Sequence, residues 1–325
     1  MSFMIEYDQG IHLRGTDLWF DSRKKAKFSF ISNANIGRFV PPEKVIATPE
    51  TIRLIEKRIK KSVTLACPYN RPFTLGNVQV ELIPSGYMLG SAQIEVKKSG
   101  KTIIYTGDIN LRESLTSEPA RVKRCQILVL KCTYGSPKYV FPSSGKVMES
   151  LTEFIDDSFS SGSVPVLLAE AVGKAQETIK MLSETGYKFS VHKSIHKALK
   201  IYEEFGIQFP SYEMFKPKKT EGRVLVFPPL KGESKDIDKI RNKRVGIVIE
   251  SAPDELASIK QVFNADEVFP LSNHAEFDEL LQFVEFVRPE KVYLIHGHPT
   301  EFARALQKRG FEAVPLEKPA QLKLL

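Results

Sequence analysis

Two asparagines, a tyrosine, an aspartate, a lysine and two histidines, each inside a short polar string at the end of an apolar run, are the residues of this chain best placed to do chemistry. Asn33 and Asn35 stand in Ser32-Asn33-Ala34-Asn35-Ile36-Gly37, Tyr87 in Pro84-Ser85-Gly86-Tyr87-Met88-Leu89-Gly90-Ser91-Ala92-Gln93, and Asp108 closes Tyr105-Thr106-Gly107-Asp108. Lys131 opens Lys131-Cys132-Thr133-Tyr134-Gly135, His274 lies in Leu271-Ser272-Asn273-His274-Ala275-Glu276-Phe277, and His296 in Ile295-His296-Gly297. Carboxylate and imidazole are the side chains that hold zinc, whose bound water is then activated as a nucleophile. Neutral carboxamides are far poorer donors, and a phenol with a pKa of about 10 is a costly one at neutral pH.

The elements that must carry these strings alternate as a layered α/β protein requires. β-rich runs at 78–82, 94–96, 102–105 and 127–130, separated by glycines and polar turns, predict strands, and another at 28–31 precedes the asparagines. Thr48 and Pro49 predict the cap and first residue of a helix with Ile52, Ile55 and Ile59 as its buried stripe. From Gly145 the pattern changes. Val147, Leu151, Phe154 and Ile155 mark a helix, 164–169 a buried strand and 178–182 a helix ended by Gly186. Ile195, Leu199 and Tyr202 mark a helix stopped by Gly206, and strands at 224–227 and 245–250 complete a small parallel α/β unit. A helix at 277–287, a strand at 292–295 and a helix at 300–308 finish the chain.

With 325 residues and 42% hydrophobic content the chain can bury a sizeable core, as one large or two moderate domains. Cys67, Cys125 and Cys132 are odd in number and lack metal-ligand spacing, so buried reduced thiols and a cytoplasmic location are expected. Residues 1–8 lack the n- and h-regions of a signal peptide, and no apolar run approaches the ~20 residues that cross a bilayer. No membrane association is expected. The balance of 47 basic against 39 acidic residues gives +8 and a pI near 9.2, which favours a polyanionic partner such as RNA or DNA. Most of the excess lies in one segment, where Lys216, Lys218, Lys219, Arg223, Lys231, Lys235, Lys239, Arg241, Lys243 and Arg244 face only Glu221, Glu233, Asp236 and Asp238. A second cluster, Arg53, Lys57, Arg58, Lys60 and Lys61, falls on the helix that Thr48 caps.

The polar strings, in their order, resemble the motifs of the β-CASP branch of metallo-β-lactamase-fold nucleases. Ser32 to Gly37 sits where that superfamily carries Ser-His-Ala-His-Ala-Asp-His-Ile-Gly, with both first histidines replaced and the Ala-Asp-His triplet absent. Pro84 to Gln93 resembles P-A-G-H-x-L-G-S-A-Q, with Tyr87 in the histidine place, and Tyr105 to Asp108 resembles Y-S-G-D with its aspartate kept. Lys131 replaces the acid of E-S-T-Y-G, while Gly173-Lys174-Ala175-Gln176-Glu177 resembles G-[KR]-x-Q-E. His274 falls in the counterpart of S-D-H-A-D-F, and His296 in the closing H-G. The likeness runs from about residue 10 to the C-terminus, and its landmarks look similar to compact DNA ligase-associated exonucleases and messenger-RNA 3′-end-processing-factor-like proteins. It implies a metallo-β-lactamase αββα sandwich, 1–140 with 265–325, interrupted by a β-CASP-like α/β cap domain, 141–264.

The resemblance also implies a binuclear zinc site, and this chain keeps few of its ligands. None of the ligands in the His-x-His-x-Asp-His string is present, Tyr87 removes another, and Asp108 and His296 remain. The zinc pair is therefore expected to be absent, with no other cofactor implied. An isolated buried carboxylate costs several kcal/mol or shifts its pKa. Lys131 is expected to replace the metals as partner to Asp108, with Asn33, Asn35 and Tyr87 hydrogen-bonding around the pair. His274 matches a histidine that contacts the scissile phosphate in active relatives; with Asp108 and His296 it makes up the residual catalytic candidates. His12, His192, His196 and His298 carry no motif and are expected in surface or packing roles. The candidate nucleic-acid contacts are Lys174, Lys216, Lys218, Lys219, Arg223, Arg241, Lys243 and Arg244, although the strand–helix turn at Lys174 suits an orienting role better.

These residues predict a catalytically degenerate β-CASP homologue that binds RNA or DNA, or an active nuclease, helicase or ligase partner, in RNA 3′-end processing or DNA repair. Two alternatives stand beside it. One is an active exo- or endonuclease with an unconventional metal site around Asp108 and His296, extended by His298 or Asp21. The other is a protein–protein adaptor without nucleic-acid binding.

Overall fold

Alternation of side chains across two stacked sheets organises the first part of the chain. The computed structural model describes residues 4–37, 39–229 and 235–316. The first sheet takes its strands in sequence order: β1 (Ile5–Tyr7), β2 (Ile11–Leu13), β3 (Leu18–Phe20), β4 (Phe28–Phe30), β5 (Lys44–Ala47) and β6 (Val63–Ala66). β1 to β3 pair antiparallel and β3 to β6 parallel. Between β5 and β6 lies α1 (Pro49–Ile55), whose first turn is closed by the Thr48 hydroxyl accepting from the Thr51 N–H at 3.2 Å. An antiparallel run follows, β7 (Phe73–Leu75), β8 (Val78–Pro84), β9 (Ala92–Lys98) and β10 (Lys101–Tyr105), to which β11 (Ile127–Lys131) adds in parallel.

The chain then builds a second unit made of residues 138–273 together with 114–116. Its elements are α2 (Ser144–Ser160), β12 (Val164–Leu168), α3 (Lys174–Met181), β13 (Phe189–Val191), α4 (Lys193–Glu204), β14 (Tyr212–Met214), β15 (Val224–Phe227), α5 (Lys235–Asp238), β16 (Lys243–Val248), α6 (Leu256–Phe263) and β17 (Glu267–Phe269). All six strands run parallel in the order β14-β13-β15-β12-β16-β17. The central ones are apolar throughout, because helices cover both faces: Leu151, Ile179 and Leu199 on one side, Ile237, Ile259 and Phe263 on the other.

Returning to the first unit, α7 (Phe277–Val287), β18 (Lys291–Ile295), α8 (Pro299–Gln307) and β19 (Ala313–Pro315) finish the described chain. β18 and β19 extend the second sheet beside β11, in the order β19-β18-β11-β10-β9-β8-β7. Ile103, Val129 and Ile295 point inward to meet Phe20, Phe30 and Ile46 of the first sheet. Their neighbours Ile104, Leu128 and Leu294 point outward to Leu280, Val284 and Phe302 of α7 and α8. On the far side, Val45 and Ala47 pack against Ile55 and Ile59. The result is the expected αββα sandwich. Among the described residues no helix is long and apolar enough to cross a membrane.

Several expectations shift. α1 stops at Ile55 and not near Ile59: turns closed by Arg58 N–H to Ile55 O (2.7 Å) and Ser62 N–H to Ile59 O (2.9 Å) keep Ile59 buried outside any helix. Most of the second basic cluster thus lies on turns. α3 begins at Lys174, ahead of the expected 178, because the Gln176 side chain caps the Gly173 N–H at 2.7 Å. β17 pairs with β16, so the second unit runs to Asn273 where the sequence suggested 264.

The turn after β18 is among the tightest of those near the candidate residues. Gly297 has φ +60°, and a Cβ there would lie 2.2 Å from Cys132 O and 2.3 Å from Thr133 O. Gly297→Ala is expected to cost about 2–4 kcal/mol, read as a fall in urea midpoint at unchanged m-value.

Candidate functional site

Parallel strands bring the candidate residues together. β10, β11 and β18 run in one direction, so their C-terminal ends share one edge of the second sheet. Asp108 follows β10, Lys131 ends β11 and His296 follows β18. The segment after β4 is tied to β9 through Ala92 N–H to Ser32 O at 2.7 Å, which places Asn33 and Asn35 beside them. Gly107 permits this approach: with φ +58°, a Cβ there would meet Ser32 Cβ at 2.5 Å. Tyr87 is held in the β8–β9 loop by its N–H to Ser91 Oγ, 3.0 Å, and His274 is anchored by Ala275 N–H to Ile109 O, 2.7 Å.

Asp108 is the centre of the arrangement and is 5% exposed. The Lys131 ammonium donates to its Oδ2 at 2.6 Å and the Asn33 amide to the same oxygen at 3.1 Å. His274 Nε2 faces Oδ1 at 3.1 Å, so that nitrogen carries a proton. Asn33 Oδ1 accepts from the Asn35 N–H at 2.8 Å, and Asn35 Nδ2 donates to the Tyr87 hydroxyl at 3.0 Å. The Tyr87 ring lies 4.4 Å from the His274 ring, and Tyr134 meets the same imidazole edge-on at 5.6 Å. Asp21 braces one wall, accepting from Ser32 N–H (2.8 Å), Ser32 Oγ (2.6 Å) and the Tyr105 hydroxyl (2.7 Å).

Burial alone would raise the Asp108 pKa, but the Lys131 charge and the His274 hydrogen bond outweigh it and hold the carboxyl far below the usual carboxylate range. His296 moves the other way for an imidazole: burial first, then the Lys131 and Arg23 cations, lowers its pKa to about 4. It is therefore a neutral ring at pH 7. A cavity of about 60 Å³, lined by Asp21, Arg23, Asn33, Asn35, Lys131 and His296 among others, has room for a few waters.

The donor set does not fit a zinc pair. Both Asp108 oxygens already accept from nitrogen donors, and the Asn33 amide is committed at each end. Among the described residues no group of three or more His, Cys, Asp or Glu side chains is arranged to hold a metal ion. Of the alternative ligands, Asp21 is occupied as above, and His298 stands at the N-terminus of α8 with its Nδ1 4.0 Å from Glu301.

The candidate nucleic-acid contacts separate into distinct groups, all within the second unit. Lys174 is corrected: it is 5% exposed, and its ammonium is committed to Glu250 (2.7 Å), Leu271 O (2.7 Å) and Asn273 Oδ1, which makes it a buried structural cation. Lys216, Lys218, Lys219 and Arg241 are exposed. Lys219 and Arg223 share Glu213, at 2.8 and 3.4 Å. Lys243 and Arg244 are half-buried, Arg244 lying 4.8 Å over the Phe154 ring. Lys231 lies outside the described residues. Arg23 joins the site without any motif of its own to announce it. His192 caps α4 by accepting from Ser194 N–H at 3.2 Å, and Cys67, Cys125 and Cys132 are buried free thiols.

Residues 265–315 match the family described as "Zn-dependent metallo-hydrolase RNA specificity domain". Over its whole length the chain is 32% identical to a protein of Opitutus terrae named "Probable DNA ligase", of which the match covers 32%. Across 83% of the chain it is 24% identical to "RNase aCSPSF2" of Saccharolobus solfataricus, covering 63% of that protein. The chain thus spans about a third of one relative's length and less than two thirds of the other's. A solved protein of unknown function from Enterococcus faecalis V583 shares the fold with a TM-score of 0.59, over 84% of this chain and 76% of that one, at 13% identity.

Removing one partner of the central pair should be far worse than removing both. Lys131→Met leaves the Asp108 charge buried and is expected to cost about 3 kcal/mol, whereas Lys131→Met with Asp108→Asn should recover most of it; equilibrium denaturation of the three proteins reads the coupling. His296 supplies a pH signature. An unfolded histidine takes up its proton near pH 6.5 and the folded one near 4, so the unfolded state binds more protons between these values. Stability should be complete above about pH 6.5 and fall by about 1–3 kcal/mol as pH drops to 4. The depressed Asp108 carboxyl steepens the loss below its ordinary 3.8. His296→Asn should flatten the pH 4 to 6.5 limb of a stability profile and leave the more acidic limb in place.

Proposed function

We propose that this chain, which belongs to the β-CASP family of metallo-β-lactamase-fold nucleases, is a catalytically silent member that binds nucleic acid and works beside an active enzyme. One observation carries this reading: the Lys131 ammonium sits on Asp108 at 2.6 Å, so a fixed positive charge stands where the family places its cations. Asn33, Asn35 and Tyr87 complete a hydrogen-bonded pocket that offers amide and phenol groups in place of imidazole. No water-activation step follows from such a set of residues.

The nucleic-acid contacts proposed are Lys216, Lys218, Lys219 and Arg241, the exposed ones among the candidate contacts. A role in DNA repair, beside a ligase-class partner, draws support from the end-to-end likeness to part of a protein named as a probable DNA ligase. The kinship with an RNase-named relative keeps RNA 3′-end processing as the second reading.

Metal analysis of the purified chain is expected to find well below one equivalent of zinc or manganese, and single-stranded DNA and RNA should survive incubation with either metal. Metal near one equivalent, with hydrolysis that Asp108→Ala abolishes, would overturn the silent reading in favour of an unconventional metal site. Binding is tested separately. Affinity for a single-stranded oligonucleotide should fall with salt, and neutralising Lys216, Lys218 and Lys219 should reduce the log–log salt slope by about 1–2. No binding at low salt would leave the adaptor reading.

A further inference from the structure

One edge of the first sheet, the strand β6, is unguarded in a way that calls for a partner. Among the described residues β6 has β5 as its neighbour and nothing beyond it in the sheet order. The N–H groups of Val63 and Cys67 donate to Glu43 O and Ala47 O, each at 2.9 Å. In a parallel ladder alternate residues turn the opposite way, so Thr64 and Ala66 aim their N–H and C=O groups out of the sheet. Among the described residues these groups meet no hydrogen-bond partner.

Natural sheets blunt such an edge by keeping the strand short, as the four residues of β6 partly do, or with a lysine or proline inside the strand, a bulge, or a covering loop. β6 has no charge, no proline and no bulge: its sequence is Val63-Thr64-Leu65-Ala66, with Val63 61% exposed, Thr64 and Ala66 exposed and Leu65 half-buried. The charge stands immediately before it, where Lys57, Lys60 and Lys61 are all exposed. An apolar ladder flanked by cations has a definite complement.

We propose that β6 is a docking edge for an extended acidic segment of a partner protein, which adds a strand to the sheet. Its backbone would pair with Thr64 and Ala66, its apolar side chains would lie along Val63 and Leu65, and its carboxylates would meet Lys57, Lys60 and Lys61. A nucleic acid would use the lysines but neither the unpaired amide groups nor the apolar side chains. A second copy of the chain, paired antiparallel, would bring Pro68-Tyr69-Asn70-Arg71 to the lysines and offer them no carboxylate. The inference does not rest on the silent reading of the Asp108 site, since β6 and its lysines contribute nothing to that pocket.

The probe is a fluorescein-labelled peptide alternating valine and glutamate, with a valine–lysine peptide of equal length as control, titrated into the full chain at low salt. Anisotropy should show saturable binding at least about tenfold tighter for the glutamate peptide, weakening with salt. Amide hydrogen exchange of Thr64 and Ala66 should slow on binding. Thr64→Pro removes an outward N–H that β5 does not use, so it should keep the urea midpoint and lose the peptide. Ala66→Pro serves the same purpose if that variant fails to fold, and exchange on the unmodified chain needs no variant. Lys60→Glu with Lys61→Glu should reverse the preference between the two peptides. The inference is overturned by any of four results: no binding of the glutamate peptide, binding that survives the folded proline variants, protection of Thr64 and Ala66 by an oligothymidylate in place of the peptide, or a dimer that Thr64→Pro dissolves.

Discussion

Asp108 is a carboxylate almost wholly removed from water, and an isolated charge in that position is not tolerated without a counter-charge or a change of protonation. The Lys131 ammonium at 2.6 Å meets that demand, and the rest of the site is arranged around the ion pair. Asn33 and His274 can only donate to a carboxylate that stays ionised, which sets the orientation of both side chains. Their orientation in turn settles Asn35, Tyr87 and the tilted contact of the Tyr87 ring with His274. The same ammonium, together with burial, keeps His296 neutral. One charge pair therefore keeps a carboxyl ionised and sets the hydrogen-bond direction of two amides, while its ammonium adds to the burial that lowers the His296 pKa.

Each unit contains an ion pair with one buried member, Asp108 in the first and Lys174 in the second. In the second unit the Lys174 ammonium is shared among Glu250, Asn273 and the Leu271 carbonyl, joining the start of α3 to the segments after β16 and β17. Nearby, Glu177 accepts from Ser114 Oγ (2.9 Å), Leu115 N–H (2.8 Å) and Thr116 Oγ1 (2.5 Å), which explains why residues 114–116 belong with this unit. Buried ion pairs contribute little net stability against apolar residues of the same shape, yet removing one partner is costly. Such pairs act as register pins, defining which loops meet.

Legibility in the sequence followed burial on two faces or on one regular stripe. β8 to β11, β15, α7 and α8 were marked by alternation or helical spacing, and their observed limits differ from the expected ones by few residues. Strands of three residues, such as β1, β2, β3, β13, β14 and β17, are too short for a period to develop and take their conformation from their neighbours. Ile59 fits a helical stripe but is buried from a turn, because burial of a side chain constrains position more than backbone type. Lys174 was ambiguous for a related reason. A lysine after a glycine reads as a solvent-facing cation until a carboxylate seventy-six residues away is known to lie under it.

The residue types at the site were settled by the sequence alone: amides at 33 and 35, a phenol at 87, a carboxylate at 108 and an ammonium at 131, each identifiable from its flanking string. Ligand chemistry depends on atom type, which no folding can change. Whether those atoms meet was decided only by tertiary structure. Lys131 and Asp108 are 23 positions apart, and His274 and Asp108 are 166 apart. They come within hydrogen-bonding distance because parallel strands end at a common edge and because Gly107, at φ +58°, lets the Asp108 turn press against Ser32. Lys131 could equally have reached solvent; its commitment to Asp108 follows from burial of the acid, and that of Lys174 to Glu250 from burial of the ammonium, properties of the packed chain and of no local segment.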